Sequence, residues 1–208
     1  MASKLSLFAY GSLTEGFVHY GKISNYVTHA QPASLTGFLY QLEVGYPVLL
    51  QEDVKKDLNR SPQLVNGTLL DLEGPDLVFK LLDEFHGYNA LAVEKSLYFK
   101  RELTVETESG ESVRAQVYCL NPKKLPKGAI YIEDGDWRGA LASRPPLTQL
   151  LDEKHAAYIK KLGASTGREI VPIDLALYRE LMKMDLIVDK GRRLALTKLG
   201  KEVFRYLE

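Results

Sequence analysis

Across the first two-thirds of the chain, short apolar runs rich in β-branched, aromatic and leucine residues alternate with clusters of Gly, Pro, Asn and Ser. This pattern predicts strands at Ser6 to Tyr10, Ser34 to Leu42, Tyr46 to Gln51, Val65 to Leu72, Ser96 to Glu106 and Val113 to Leu120. Glu108-Ser109-Gly110-Glu111 reads as a hairpin turn, which makes the last two strands antiparallel neighbours. One clear helix interrupts the strands, from Pro75 to His86, opened by proline and closed by Gly87. At about 100° per residue, Leu77, Val78, Leu81, Leu82 and Phe85 share one face, with Phe79 at its flank. By the same geometry His86 lies about 80° from the centre of that face and Glu84 about 120°. His86 is therefore expected at the core boundary and Glu84 toward solvent. One long helix among many strands predicts an α+β domain, a closed or strongly curved antiparallel sheet with helices against it.

After Arg144-Pro145-Pro146 the pattern changes, and the two prolines mark a boundary between residues 1–144 and 145–208. Leu147 to Leu162 and Ile173 to Met184 read as amphipathic helices, Leu186 to Val188 and Arg193 to Leu196 as short strands around Asp189-Lys190-Gly191. A last helix begins near Thr197, with Leu199, Val203, Phe204 and Leu207 on one stripe. The order helix, helix, hairpin, helix resembles a winged-helix module. Leu186-Ile187, Leu196-Thr197 and Gly200 resemble the end of the winged-helix domains of bacterial regulators.

With 208 residues, the chain can bury a substantial core. Its net charge of zero removes any global attraction to nucleic acid or an anionic membrane, so such a partner needs a local patch. Residues 145–208 hold 12 Lys and Arg against 9 Asp and Glu, a small excess for a nucleic-acid-binding domain. Lys190, Arg192 and Arg193 form its one notable cluster. The single Cys119, in an apolar strand, excludes an internal disulfide and reads as a buried thiol. His19, His29 and His155 show no metal-ligand spacing. No run of membrane-spanning length and no signal-peptide pattern is present, so the chain reads as soluble and cytoplasmic.

Two stretches carry candidate chemistry. Phe8-Ala9-Tyr10-Gly11-Ser12-Leu13 is a strand that breaks into a Gly-Ser turn, where successive backbone N–H groups can form a concavity for a carboxylate or oxyanion. Leu81-Leu82-Asp83-Glu84-Phe85-His86-Gly87-Tyr88 places three titratable side chains at a helix end, where one can serve as general acid or base. Together with Leu35-Thr36-Gly37-Phe38-Leu39-Tyr40, Tyr46-Pro47-Val48-Leu49, Val65-Asn66-Gly67-Thr68-Leu69-Leu70, Tyr98-Phe99-Lys100-Arg101 and Gly135-Asp136-Trp137-Arg138, these elements resemble the γ-glutamylcyclotransferase-like family over about residues 5 to 142.

The resemblance implies a small closed mixed β-barrel with flanking helices and a cavity at the Tyr-Gly-Ser turn. It also implies a cofactor-independent intramolecular acyl transfer: the α-amine of a γ-glutamyl group attacks its own γ-carbonyl, giving 5-oxoproline and a free amine. The implied substrate-binding residues are Tyr10, Gly11, Ser12, Leu13, Tyr46, Tyr98, Arg101 and Trp137, with no metal. The family's catalytic glutamate directly precedes the glycine that ends the helix, and in this chain that position is His86. Glu84 stands two residues earlier, rotated by about 200°. Three readings follow: His86 replaces the base, the cavity binds a small ligand without cyclotransfer, or His86 is a boundary histidine at a helix C-terminus. In the second, the protein acts as a sensor or interaction protein through its C-terminal domain, with nucleic acid or a protein as partner.

Overall fold

The structure is a computed structural model that describes residues 5–54, 60–166 and 169–207. The chain divides into two compact units, Met1–Leu42 with Tyr46–Ala140 and Glu43–Gly45 with Leu141–Glu208.

The first unit contains β1 (Leu5–Ala9), β2 (Val27–Gln41), β3 (Pro47–Leu50), β4 (Gln63–Leu72), α1 (Pro75–Phe85), β5 (Tyr98–Thr107), β6 (Ser112–Leu120), β7 (Ile130–Tyr131) and α2 (Trp137–Ala140). Strand order β2-β4-β1-β6-β5 closes on itself through a β2–β5 pairing at Ala33↔Thr107 and Ser34↔Glu106, so five strands form a barrel. β3 and β7 extend β2 beyond it. The wholly antiparallel sheet expected from the turn pattern is corrected at one seam: β1 and β6 run parallel, Leu7 opposite Gln116, because they are joined by distant chain rather than a turn. Closure hides the strand edges, and the inward faces of Leu7, Leu35, Val65, Leu69, Val105 and Val117 bury the core.

β2 is longer than its apolar run, because residues from Thr28 to Ala30 lie on the exposed half of a long strand and carry no hydrophobic signal. Even Pro32 sits within it, opposite Thr68. The β5–β6 hairpin turns at Gly110 with φ +81°, and its register runs without a bulge from Tyr98↔Leu120 to Glu106↔Ser112. α1 buries Val78, Phe79 and Leu82, while Leu77 and Leu81 are 53% and 42% exposed. The buried stripe therefore runs 78, 82, 86 rather than through Leu77 and Leu81. His86 lies on its continuation and is buried, and Glu84 is exposed.

The second unit contains α3 (Leu147–Leu150), α4 (Glu153–Ala164), α5 (Leu175–Lys183), β8 (Ile187–Asp189), β9 (Leu194–Leu196) and α6 (Lys198–Leu207). The single helix expected from Leu147 to Leu162 breaks at Leu151 in extended conformation, because Asp152 starts a new helix by accepting the His155 N–H at 2.9 Å. His155 Nδ1 also meets Asp152 at 2.7 Å, and its Nε2 lies 2.9 Å from Glu180 of α5. Leu196-Thr197 and Gly200 acquire a structural reason here. Thr197 Oγ1 accepts the Gly200 N–H at 2.9 Å and donates to the Asp185 carbonyl, while a Cβ at Gly200 would collide with the Leu186 carbonyl.

Candidate active site

The turn after β1 is built by its own carbonyls. Gly11 O accepts from Thr14 N at 3.0 Å and Thr14 Oγ1 at 2.7 Å, and Ser12 O accepts from His19 N at 3.0 Å. Among the described residues, no protein acceptor takes the N–H groups of Gly11, Ser12 or Leu13. Three consecutive donors are therefore left without a protein acceptor in a largely buried turn, although none of the three lines either of the barrel unit's cavities. Gly11 also has a packing reason: a Cβ there would stand 2.8 Å from Pro47 Cγ.

Tyr10 bridges elements instead of presenting its hydroxyl. Its OH donates to the Tyr118 carbonyl at 2.6 Å and accepts the Leu49 N–H at 3.3 Å, joining β1 to β6 and β3. Its ring lines a cavity of about 220 Å³ together with Thr14, Asn66, Asp136, Trp137 and Arg138. A second cavity of about 300 Å³ shares Pro32, Asn66 and Gly67 with it and reaches Glu106, Thr107 and Glu108.

His86 caps α1. Its backbone N–H and its Nδ1 both lie 2.9 Å from the Leu82 carbonyl, and Gly87 turns the chain away with φ +59°. A carbonyl only accepts, so Nδ1 donates in that bond, and in the neutral ring Nε2 is the nitrogen that can take a proton. The imidazole lies flat on the Tyr118 ring, 3.9 Å between centroids at 5°, and meets Tyr98 edge-on at 5.1 Å. Tyr118 OH donates to Asp83 Oδ1 at 2.6 Å, and Asp83 Oδ2 pairs with Lys100 Nζ at 2.7 Å. Lys100 and Tyr118 are cross-strand partners, so Asp83 pins α1 to the β5–β6 face on which His86 rests. Burial, then the hydrogen bond to Asp83, push the Tyr118 phenol far above its ordinary range.

An aromatic row connects these parts. Trp137 lies 4.8 Å from Phe17 and 6.1 Å from Tyr46, Tyr46 lies 6.0 Å from His19, and His19 lies 4.9 Å from Phe85, which abuts His86 at 5.0 Å. Ring contacts thus link Trp137, Tyr46, His86 and Tyr98, and of the residues expected to bind substrate Tyr10 and Trp137 line one cavity. The structure does not bring in Glu84, which is exposed, or Arg101, which is exposed and lies over Phe99 at 5.4 Å. Regular alternation along β5 puts Tyr98 and Arg101 on opposite faces.

Sequence reasoning gave no site role to Thr14, His19, Asn66, Asp136 or Arg138, and it gave Asp83 only a place among the titratable residues at the helix end. Asp136 and Arg138 flank Trp137 in the quoted motif; Arg138 lies over Phe17 at 5.1 Å and its N–H bonds Asp136 Oδ1 at 3.0 Å. Asp83 was in plain view one turn before Gly87, but only the fold shows that it anchors the helix. Among the described residues, no group of three His, Cys, Asp or Glu side chains is placed to hold a metal ion. Nor, among the described residues, is any helix long and apolar enough to cross a membrane.

A closed five-stranded mixed barrel with one parallel seam and a helix packed against it places the unit among small α+β barrel proteins. The sequence model described as gamma-glutamyl cyclotransferase, AIG2-like, matches residues 7–139, and the chain belongs to that family. Among solved structures, it is similar to YkqA from Bacillus subtilis, with 20% identity over 67% of this chain and a TM-score of 0.48. The match spans 42% of YkqA, under half of its length. It is also similar to an AIG2-like protein from Mus musculus, with 20% identity over 62% of this chain and 86% of that one, TM-score 0.44. The Arabidopsis thaliana protein At3g28950.1 matches at 19% identity over 83% and 94% of the two chains, TM-score 0.45. No curated protein matches the chain.

Proposed function

We propose that the barrel unit cyclises a γ-glutamyl amine or peptide to 5-oxoproline, with His86 as the base. The observation that carries this reading is the Nδ1–H bond to the Leu82 carbonyl, which orients the imidazole and makes Nε2 the acceptor at the helix end where the family motif places its carboxylate. In the reaction the substrate's α-ammonium gives a proton to His86 Nε2, and the freed amine attacks the γ-carbonyl. As the new lactam C–N bond forms, the attacking nitrogen releases its second proton to solvent, the bond to the leaving nitrogen breaks, and the proton held on Nε2 passes to that nitrogen, which departs as the neutral amine. The N–H groups of Gly11, Ser12 and Leu13 are suited to the substrate carboxylate or the developing oxyanion, where such donors contribute most. No cofactor enters these steps.

A second reading, ligand binding without turnover, is favoured by a specific observation: His86 lines neither cavity, and Tyr10, which bonds the Tyr118 carbonyl, lines only the first. The deciding experiment is 5-oxoproline release from a panel of γ-glutamyl amines and dipeptides. Under the first reading the wild type turns over, His86→Ala loses about a hundredfold or more, His86→Glu retains activity, and Glu84→Ala behaves as wild type. A silent wild type that still binds γ-glutamyl compounds supports the second, in which the C-terminal unit transmits the bound state to a protein or nucleic-acid partner.

A further inference from the structure

The second unit contains a cavity of about 520 Å³ between the end of α4, the β8–β9 hairpin and α6. Leu162, Leu196 and Phe204 supply apolar wall, and Lys190, Arg193 and Lys201 stand around it. α4 and α6 approach closely here, because Gly163 leaves room for the Phe204 ring that any Cβ would strike. None of the three cations has an acidic partner among the described residues, and no acidic side chain lines the cavity. Three like charges converging on one concavity repel one another, and an anion bound among them relieves that repulsion.

We propose that this cavity binds a small amphipathic carboxylate, its apolar body against Leu162, Leu196 and Phe204 and its carboxylate among Lys190, Arg193 and Lys201. The volume falls within the range of small-molecule sites, and the lining matches their chemistry of apolar walls with a few convergent polar groups. A bare phosphate leaves the apolar wall unused, and a neutral hydrocarbon leaves the cations uncompensated. The pairing of both features in one cavity selects a ligand with both halves.

The test uses the full chain and sodium decanoate as the probe, followed by calorimetry. Saturable binding at one site is expected. The double variant Arg193→Gln, Lys201→Gln weakens it by about tenfold or more. Ala195→Phe, which fills the cavity from β9, abolishes it, and decanol binds far more weakly than decanoate. Unchanged thermal unfolding of both variants shows that the unit remains folded. The proposal is overturned by absence of saturable binding, by decanoate affinity indifferent to both variants, or by inorganic phosphate or duplex DNA competing at the site as effectively as decanoate. Release of 5-oxoproline, which belongs to the barrel unit, has no bearing on these outcomes.

Discussion

Cys119 shows how burial alone decides a side chain's chemistry. It is 1% exposed on β6, and desolvation pushes its thiol up to about 12 despite the modest opposing influence of Arg101. The native thiol is therefore held neutral through the range in which an unfolded thiol ionises, and two consequences follow. At neutral pH iodoacetamide should label the native protein extremely slowly and the urea-unfolded chain rapidly, as mass spectrometry would show. Stability should also fall with alkali. The folded value lies above the unfolded one, so the contribution is fully present below an ordinary thiol value of 9.0 and is lost as pH rises toward about 12. At about pH 10.5 the loss from this residue is on the order of 2 kcal/mol, read as a lower urea midpoint; Cys119→Ala removes that part of the pH dependence. A flat midpoint between pH 8 and 10.5, or fast native labelling, would show that the thiol is not sealed.

At the scale of elements, the helix-to-strand turn after α5 offers a local test. Asp185 is the one non-glycine residue with positive φ among the described residues, at +56°, and it ends α5 in the left-handed conformation while Leu186 N donates to the Leu181 carbonyl. Glycine adopts this conformation without the Cβ clash, so Asp185→Gly should raise the stability of the second unit by about 0.5–1 kcal/mol in urea unfolding. The Thr197 hydroxyl reaches Asp185 through its backbone carbonyl, which glycine keeps. A decrease would mean that the carboxylate has a role the backbone does not reveal. The same elements show what sequence makes legible. Strands buried along their length and the hairpin at Gly110 follow from pattern, whereas the exposed first half of β2 and the break at Asp152 depend on pairing and capping, which leave little periodic trace. The site divides in the same way. The N–H turn and His86 are visible as motif positions, while Asp83 and Arg138 find their partners only when β6 brings Tyr118 and the loop after β1 brings Phe17 to them. Arg101, three residues after Tyr98, is exposed and turned to the opposite face by strand alternation.

For the whole molecule, the question is whether the barrel is complete in itself. The family match ends at residue 139 and the barrel unit ends at Ala140, with five strands closed and their edges paired. A chain of residues 1–142 should therefore fold cooperatively, since what it loses is not part of the closed sheet. One detail complicates the cut. Residues 43–45, in the turn between β2 and β3, belong with the second unit, where the Val44 carbonyl accepts the Leu147 N–H at 2.9 Å and a Cβ at Gly45 would collide with Pro146. Val44 is wholly buried in the full chain, so Val44→Ser is made alongside the truncation as a control against association through that residue. Cys119 then serves as the reporter. A fragment with a closed barrel protects the thiol from iodoacetamide as the full chain does, and releases 5-oxoproline at a similar rate wherever the full chain has that activity. Rapid labelling together with a gradual, uncooperative urea transition would show instead that the second unit is required to close the barrel.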